Sequence, residues 1–158
     1  MRRVFIQIWL AIGLAYATTT LAAEFCWKWG YAIATAPQNL KGDVTAELTA
    51  ALAQGLEWAE LGAWLAPQIF WIRATPSTIA LNNPVLPDKQ AIEIFRKELK
   101  YDPYDTQLWF FLTLRLAHDG QMDKAWEAHA RVRQLWPESP LDHGLDTILT
   151  SLTRKSEP

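Results

Sequence analysis

The chain has 158 residues and a formal net charge of −2, which suits one modest domain plus an N-terminal appendage. Between Asp88 and Trp136 eight basic residues balance eight acidic ones, so no basic face is predicted and nucleic acid is not an expected partner. A single cysteine, Cys26, excludes an internal disulfide framework, and nine tryptophans favour aromatic contacts in a core, on a contact surface or at a membrane interface.

Residues 1–23 have the composition of a membrane-targeting segment. Arg2 and Arg3 precede an apolar run over residues 4–23 that is long enough to cross a bilayer. Two interpretations stay open: an uncleaved signal anchor, which we favour, or a signal peptide with a cleavage site at Ala15-Tyr16-Ala17. The positive-inside rule predicts a single-pass bacterial inner-membrane protein with a cytoplasmic N-terminus and a periplasmic domain. Cleavage would instead leave a soluble periplasmic protein.

Residues 24–42 are predicted to form an interfacial aromatic segment followed by a linker. Four aromatic residues and one lysine lie close together here: Phe25, Trp27, Lys28, Trp29 and Tyr31. This composition is typical of the aromatic belt at a membrane–water interface, although the same side chains could also pack on the domain. Ala36 to Gly42 contains proline and glycine and is predicted to be the linker.

The helical domain is predicted to occupy residues 43–158. Asp43 is predicted to be the N-cap of an amphipathic helix that reaches Ala66, with a break predicted near Gly55. Three glutamates and a glutamine within this helix argue against a second membrane span. Residues 68–74 are predicted to form a short helix, and residues 75–87, which are rich in turn formers, a long loop.

A repeat with a period of 34 residues begins at Asp88. Three pairs of positions recur at that spacing: Ala91 with Ala125, Phe95 with His129, and Pro103 with Pro137. Three further positions of the pattern lie between the two copies: Trp109, Leu112 and Leu116. The pattern resembles one tetratricopeptide repeat from Asp105 to Ser139, preceded by the second helix of another repeat at Asp88 to Lys100. It departs from the family pattern at Thr113, which replaces the usual glycine, and at His129, which replaces a bulky aromatic.

The predicted fold class is therefore all-α: a short tetratricopeptide-like repeat of antiparallel helix pairs, preceded by an N-terminal transmembrane or signal helix. The repeat is clearest over residues 88–139, and residues 140–153 are predicted to be a capping helix with one apolar stripe. In such a repeat, a small residue at Ala125 lets two helices approach closely and Pro137 ends the second helix.

In tetratricopeptide proteins the first helix of each repeat lines a groove. The resemblance implies that the partner-binding candidates on this chain are Gln107, Phe110, Leu114, Arg115 and Ala117. This set is mostly apolar, so it favours a hydrophobic helix or extended segment over an acidic tail. The alternative is that Phe110 and Leu114 pack against the protein's own tryptophan-bearing helices.

Sequence motifs for chemistry are not found. His118, His129 and His143 lack the spacing that would place two metal ligands on one helix face, and no phosphate loop, nucleophile elbow or Cys–His pattern occurs. We therefore expect no enzymatic activity, no cofactor and no metal.

A narrower resemblance concerns the order of segments. The order of segments resembles the C-terminal tail of O-antigen ligase and polymerase-type membrane proteins. The segments are a membrane span, a Trp-rich helical part, a loop at Arg73-Ala74-Thr75-Pro76 and a helix that ends at Lys100-Tyr101-Asp102-Pro103. This resemblance covers about half of the chain and implies a periplasmic accessory subunit without the catalytic membrane domain.

Two function classes follow. The first is a membrane-anchored, periplasm-facing scaffold or accessory protein that binds membrane or periplasmic proteins, with residues 4–23 in the lipid bilayer, in envelope polysaccharide assembly or secretion. The second is a small structural subunit of a larger membrane complex such as an energy-transducing assembly.

Overall fold

The computed structural model describes residues 2–35, 44–83 and 85–156, and this part of the chain is helical with no β-strand, which confirms the predicted all-α class. In chain order the helices are α1 (Arg2–Ala34), α2 (Val44–Leu65), α3 (Phe70–Arg73), α4 (Thr75–Asn82), α5 (Asp88–Glu98), α6 (Thr106–His118), α7 (Met122–Leu135) and α8 (Pro140–Ser156). The chain divides into two compact units, which we call unit 1 (Met1–Ile79) and unit 2 (Ala80–Pro158).

Unit 1 is built on the packing of α1 against α2. The aromatic segment predicted to follow the membrane span is part of α1, which continues without interruption to Ala34. The predicted linker at Ala36 to Gly42 and the cap at Asp43 lie outside the described residues. α2 runs continuously through Gly55, so the expected break at that glycine was wrong. An unbroken helix is favoured there because Gly55 is buried in contact with α1.

Small residues let the backbones of α1 and α2 approach closely. A Cβ atom added at Gly30 would lie 2.6 Å from the Gly55 carbonyl oxygen, and one added at Gly55 would lie 2.6 Å from the Ala34 Cβ atom. One added at Gly62 would lie 3.1 Å from the Ala23 carbonyl oxygen. The contacts move toward the N-terminus of α1 as they move toward the C-terminus of α2, so the two helices are antiparallel.

α3 and α4 follow each other closely at a bend, where the sequence predicted a loop from residue 75 onward. That prediction was wrong for residues 75–82, which are helical. Pro76 lies in the first turn of α4, where its missing N–H is not needed. The Thr75 hydroxyl donates to the Trp71 carbonyl and the Ser77 hydroxyl to the Ala74 carbonyl, so local hydrogen bonds support the bend. Residues of the types that usually form turns therefore begin helix α4 here.

Unit 2 contains helices that begin at a constant spacing. α5 and α7 begin at Asp88 and Met122, and α6 and α8 begin at Thr106 and Pro140, in each case 34 residues apart. α6 packs against α5 and α7, and α8 packs against both α6 and α7. α8 ends at Ser156, beyond the residue 153 expected for the capping helix.

The repeat positions divide into a buried set and an exposed set. Six of them are buried: Ala91, Phe95, Leu112, Leu116, Ala125 and His129. Trp109 is half-buried and its indole N–H donates to the Pro103 carbonyl, while Pro103 and Pro137 lie exposed between helices. Thr113 is fully buried, and its hydroxyl donates to the Trp109 carbonyl, so this departure from the family pattern leaves no unpaired hydroxyl.

Local signals define the ends of α6. The Asp105 side chain caps the helix by accepting a hydrogen bond from the Leu108 amide. At the other end Gly120 has a φ angle of +75°, and the Gln121 amide donates back to the Leu116 carbonyl. These two caps set the length of α6 and the turn into α7.

Candidate functional site

The N-terminal part of α1 is an exposed apolar helix. Gln7–Ala34 is long and apolar enough to cross a membrane, and only 6% of its most apolar window is buried. All side chains from residue 7 to residue 19 are exposed, and Trp9, Leu10 and Leu14 are each exposed by 60% or more. A helix of a soluble core passes the same length test but is mostly buried, so this helix differs from that class.

Two threonines of this segment donate hydrogen bonds to the preceding turn of the helix. The Thr18 hydroxyl donates to the Leu14 carbonyl and the Thr19 hydroxyl to the Ala15 carbonyl. Such bonds to a preceding turn let threonine lie in an apolar medium where no water is present. Thr18 and Thr19 are thus compatible with a membrane-spanning helix, whereas the Thr20 hydroxyl is buried without a hydrogen-bond partner among the described residues.

The exposed segment ends where α2 and α3 reach α1. Ala23, Ala66 and Ile72 form a buried cluster, and Trp27 packs against it. Around the end of α2 and along α3, three aromatic side chains are more than half exposed: Trp64 by 75%, Phe70 by 58% and Trp71 by 57%. The Arg73 guanidinium lies 5.6 Å from the centre of the Phe70 ring. We call Trp64, Phe70, Trp71 and Arg73 the aromatic collar.

The aromatic residues predicted to form an interfacial belt lie on α1 in two environments. Phe25 and Trp29 are more than half exposed and stack on each other with ring centres 5.9 Å apart. Trp27 is half-buried and, together with Tyr31, lines a cavity of about 330 Å³ next to Phe70 and Trp71 of the aromatic collar. Both aromatic groups therefore belong to unit 1.

The predicted groove residues fall into two separate cavities of unit 2. Gln107 and Phe110 line a cavity of about 430 Å³ next to Val132 and Trp136. Leu114 and Arg115 line a second cavity of about 530 Å³, whose remaining walls are Leu81, Leu86, Pro87, Asp88, Phe111, His118, Ile148 and Leu152. Ala117 is buried and lines neither.

Arg115 is engaged within unit 2. Its guanidinium donates to Asp88 Oδ1 over 2.8 Å, to the Leu86 carbonyl over 3.1 Å and to the Asn83 carbonyl over 3.1 Å. Its side chain is 16% exposed. His118 approaches the other oxygen of Asp88 at 3.4 Å. Arg115 thus joins α6 to the segment before α5. The one basic residue of the predicted groove therefore has a structural role.

Comparison with protein-family models, curated proteins and solved structures finds no match. The function must therefore be inferred from the two units themselves.

A third cavity, of about 730 Å³, lies between α5, α6 and α7. Its lining includes four basic side chains, Arg96, Lys100, Lys124 and Arg131, over a floor of Leu99, Trp109, Leu112, Leu116 and Ala128. We call it the basic cleft. The sequence did not predict this cleft, because the basic and acidic residues between 88 and 136 balance and give no net charge. The i,i+4 spacing of Arg96 and Lys100 is the one sequence signal that pointed to it.

No group of three or more His, Cys, Asp or Glu side chains suited to hold a metal ion occurs among the residues that the structure describes. His129 is buried, and its Nδ1 lies 3.6 Å from Asp146 Oδ1, so it joins α7 to α8. The described surfaces present apolar, aromatic and charged groups that can take part in binding.

Proposed function

We propose that this protein is a membrane-anchored module for protein–protein interaction that faces the periplasm. The single observation that carries this proposal is the continuity of α1. Its first part exposes an apolar surface long enough to cross a bilayer, and its last part packs on α2. The proposed anchor and the part of unit 1 that packs on α2 therefore share one continuous helix.

The aromatic collar supports a proposal for where along α1 the bilayer surface lies. Phe70 and Trp71 of the collar lie beside Trp27 and Tyr31 of α1, just beyond Ala23, where the exposed apolar segment ends. Tryptophan, phenylalanine and arginine are favoured where an apolar phase meets a wet headgroup layer. The Glu24–Lys28 ion pair, with 3.9 Å between its charged atoms, lies on the same part of α1, and in this proposal its charges lie outside the hydrocarbon.

Unit 2 supplies the interaction surface in this proposal. Its helix starts repeat at 34 residues, its small and large apolar repeat positions are buried together, and three cavities lie between its helices. This arrangement is expected of a tetratricopeptide-like repeat, a class that binds peptide segments of other proteins.

Affinity purification of the full chain in a mild detergent tests the proposal. We expect the chain in the membrane fraction together with one stoichiometric protein partner. A chain that fractionates as a soluble monomer would contradict both the anchor and the module.

A second measurement tests the orientation. In a Cys26→Ser background, Lys89→Cys introduces one exposed thiol in unit 2. We expect an impermeant maleimide to label it from the periplasmic side of intact cells. Labelling only after the inner membrane is disrupted would contradict the periplasmic orientation.

The same purification separates the module from a structural subunit of a larger membrane complex. Truncation after Ile79 removes unit 2 and leaves α1 with its α2 and α3 contacts. If the partner is lost, its binding depends on unit 2, as proposed. A partner retained by unit 1 alone would instead identify the exposed face of α1 as the contact and favour the structural subunit.

A further inference from the structure

The basic cleft combines positive charge with an apolar floor in one concavity. Arg96 lies on α5 and Lys100 in the turn just after it, and Lys124 and Arg131 lie on α7. Within the described residues neither Arg96 nor Lys100 takes part in an ion pair. Glu127 is the one acidic residue of the lining. The cleft thus concentrates cations on a chain whose net charge is −2.

The cations of α7 are held by neutral partners. Lys124 Nζ donates to Gln121 Oε1 over 2.8 Å, and the Arg131 guanidinium donates to Gln134 Oε1. The same guanidinium lies 6.0 Å from the centre of the Tyr104 ring. Amide and aromatic partners orient a cation without neutralising it, so these charges stay available for an anion.

The floor of the cleft is suited to apolar side chains. Leu99, Leu112 and Leu116 are buried, and Trp109 is half-buried with its N–H already bonded to the Pro103 carbonyl. The volume of about 730 Å³ falls within the range of ligand pockets. A small inorganic anion would contact only the basic side chains and would leave this apolar floor uncovered. A ligand that matches the basic side chains and the apolar floor must carry acidic groups and apolar groups together.

We propose that the basic cleft binds an acidic, apolar-rich peptide segment of the partner protein. This deepens the proposed function, on which it rests, by naming the chemistry of the partner. Carboxylates of the segment would pair with the four cations of the cleft, and its apolar side chains would cover the leucines and Trp109. A bilayer surface fits less well, because a flat sheet of headgroups does not enter a concave cleft between three helices.

Charge reversal in the full-length chain tests the proposal. The variant Arg96→Glu with Lys100→Glu alters the cleft, and Lys89→Glu with Lys97→Glu makes the same charge change at exposed α5 residues that do not line it. The probe is a fluorescein-labelled synthetic peptide in which Glu alternates with Leu, and its control carries Gln instead of Glu. Anisotropy titrations use the chain in nanodiscs of neutral phosphatidylcholine.

We expect the cleft variant to weaken binding of the Glu–Leu peptide by at least about tenfold and the control variant to stay within about twofold of the unaltered chain. Binding should weaken as salt is added, and the Gln–Leu peptide should bind less tightly. The milder variant Arg96→Gln with Lys100→Gln should give an intermediate loss. Circular dichroism of each variant checks that the helices are retained.

Equal binding by the cleft and control variants would overturn the proposal. So would capture of phosphatidylglycerol vesicles by the cleft with no binding of the peptide, since the occupant would then be an anionic membrane. Neither result contradicts the proposed function if a stoichiometric partner still purifies with the chain. Conversely, if the chain purifies alone but still binds the peptide, the result would support the proposed binding by the cleft. It would contradict the proposed function as a protein–protein interaction module.

Discussion

The two units hold their helices together by different means. In unit 1, α1 and α2 meet through Gly30, Gly55 and Gly62, where an added Cβ would collide with the opposite helix or press closely on it. Both units bury large apolar side chains, such as Leu52 in unit 1 and Phe95 in unit 2, but neither Gly120 nor Gly144 of unit 2 lies against another helix. Charged side chains, above all Arg115, add hydrogen bonds at the edges of the unit 2 core.

This difference in packing indicates which surroundings, lipid or water, favour each kind of helix contact. Close packing through small residues is typical of helices in lipid, where burying large apolar side chains brings no gain over leaving them in the hydrocarbon. A core of large apolar residues is typical of domains in water, where the gain is about 25 cal/mol for each Å² buried. Unit 1 thus adds a glycine contact of the kind found between helices in lipid to its buried apolar residues, and unit 2 relies on a core of apolar side chains.

The largest expected effect is on the core of unit 2. Ala125→Trp forces a bulky ring into a fully buried position of α7, and we expect it to destabilise the unit by at least about 3 kcal/mol. Thermal unfolding followed by circular dichroism measures the loss. Ala130→Trp, at an exposed position of the same helix, should be tolerated. An unchanged melting temperature for Ala125→Trp would contradict the repeat-style packing of α6 on α7.

The next effect tests the glycine contact of unit 1. Gly55→Leu should separate α1 from α2 at a cost of about 2 kcal/mol, because the added side chain meets the backbone of Ala34 rather than a mobile side chain. Cys26 is buried on α1 and reports the separation through faster reaction with a maleimide. Gly13→Leu, in open space on α1, is the matched control. Equal labelling rates in both variants would show that the glycines are not needed for the contact.

A third prediction compares two arginines of unit 2. Arg115→Met should cost about 2 kcal/mol, because it leaves Asp88 and two carbonyls without their charged donor in a largely buried place. Arg133 pairs with Asp146 over 2.8 Å but is 52% exposed, so Arg133→Met should cost less than about 1 kcal/mol. Chemical denaturation measures both. A larger loss for Arg133→Met would reverse this ranking of buried and exposed pairs.

The smallest effect on stability, and the sharpest test of the proposed bilayer position of unit 1, concerns the aromatic collar. In a Cys26→Ser background, Trp64→Cys should change the free energy of unfolding by less than about 0.5 kcal/mol, since Trp64 is 75% exposed. A polarity-sensitive dye at this position should report an apolar environment in vesicles. The same dye at Gln54→Cys, exposed earlier on α2, should report water. Water-like emission from both positions would place the collar outside the bilayer interface.

The sequence was most informative where a pattern is local. Periodic apolar residues and the 34-residue repeat of Ala91 with Ala125 were sufficient to predict an all-helical chain, because helix formation and burial follow a short period. The apolar run of residues 4–23 was sufficient to predict a helix that can cross a membrane, which α1 is by length and composition. The loop expected at residues 75–82 was wrong, because Pro76 lies in a first turn where it starts a helix.

What only the tertiary structure decided is which distant residues meet. The pairing of Gly30 with Gly55, the use of Arg115 to hold Asp88, and the convergence of Arg96 with Arg131 each join residues on different helices. One sequence carries no information on these distances, because side chains on two helices approach according to crossing and register rather than to spacing along the chain. The sequence alone therefore determined a helical chain with an apolar N-terminal helix, while helix packing created both the close contact in unit 1 and the basic cleft in unit 2.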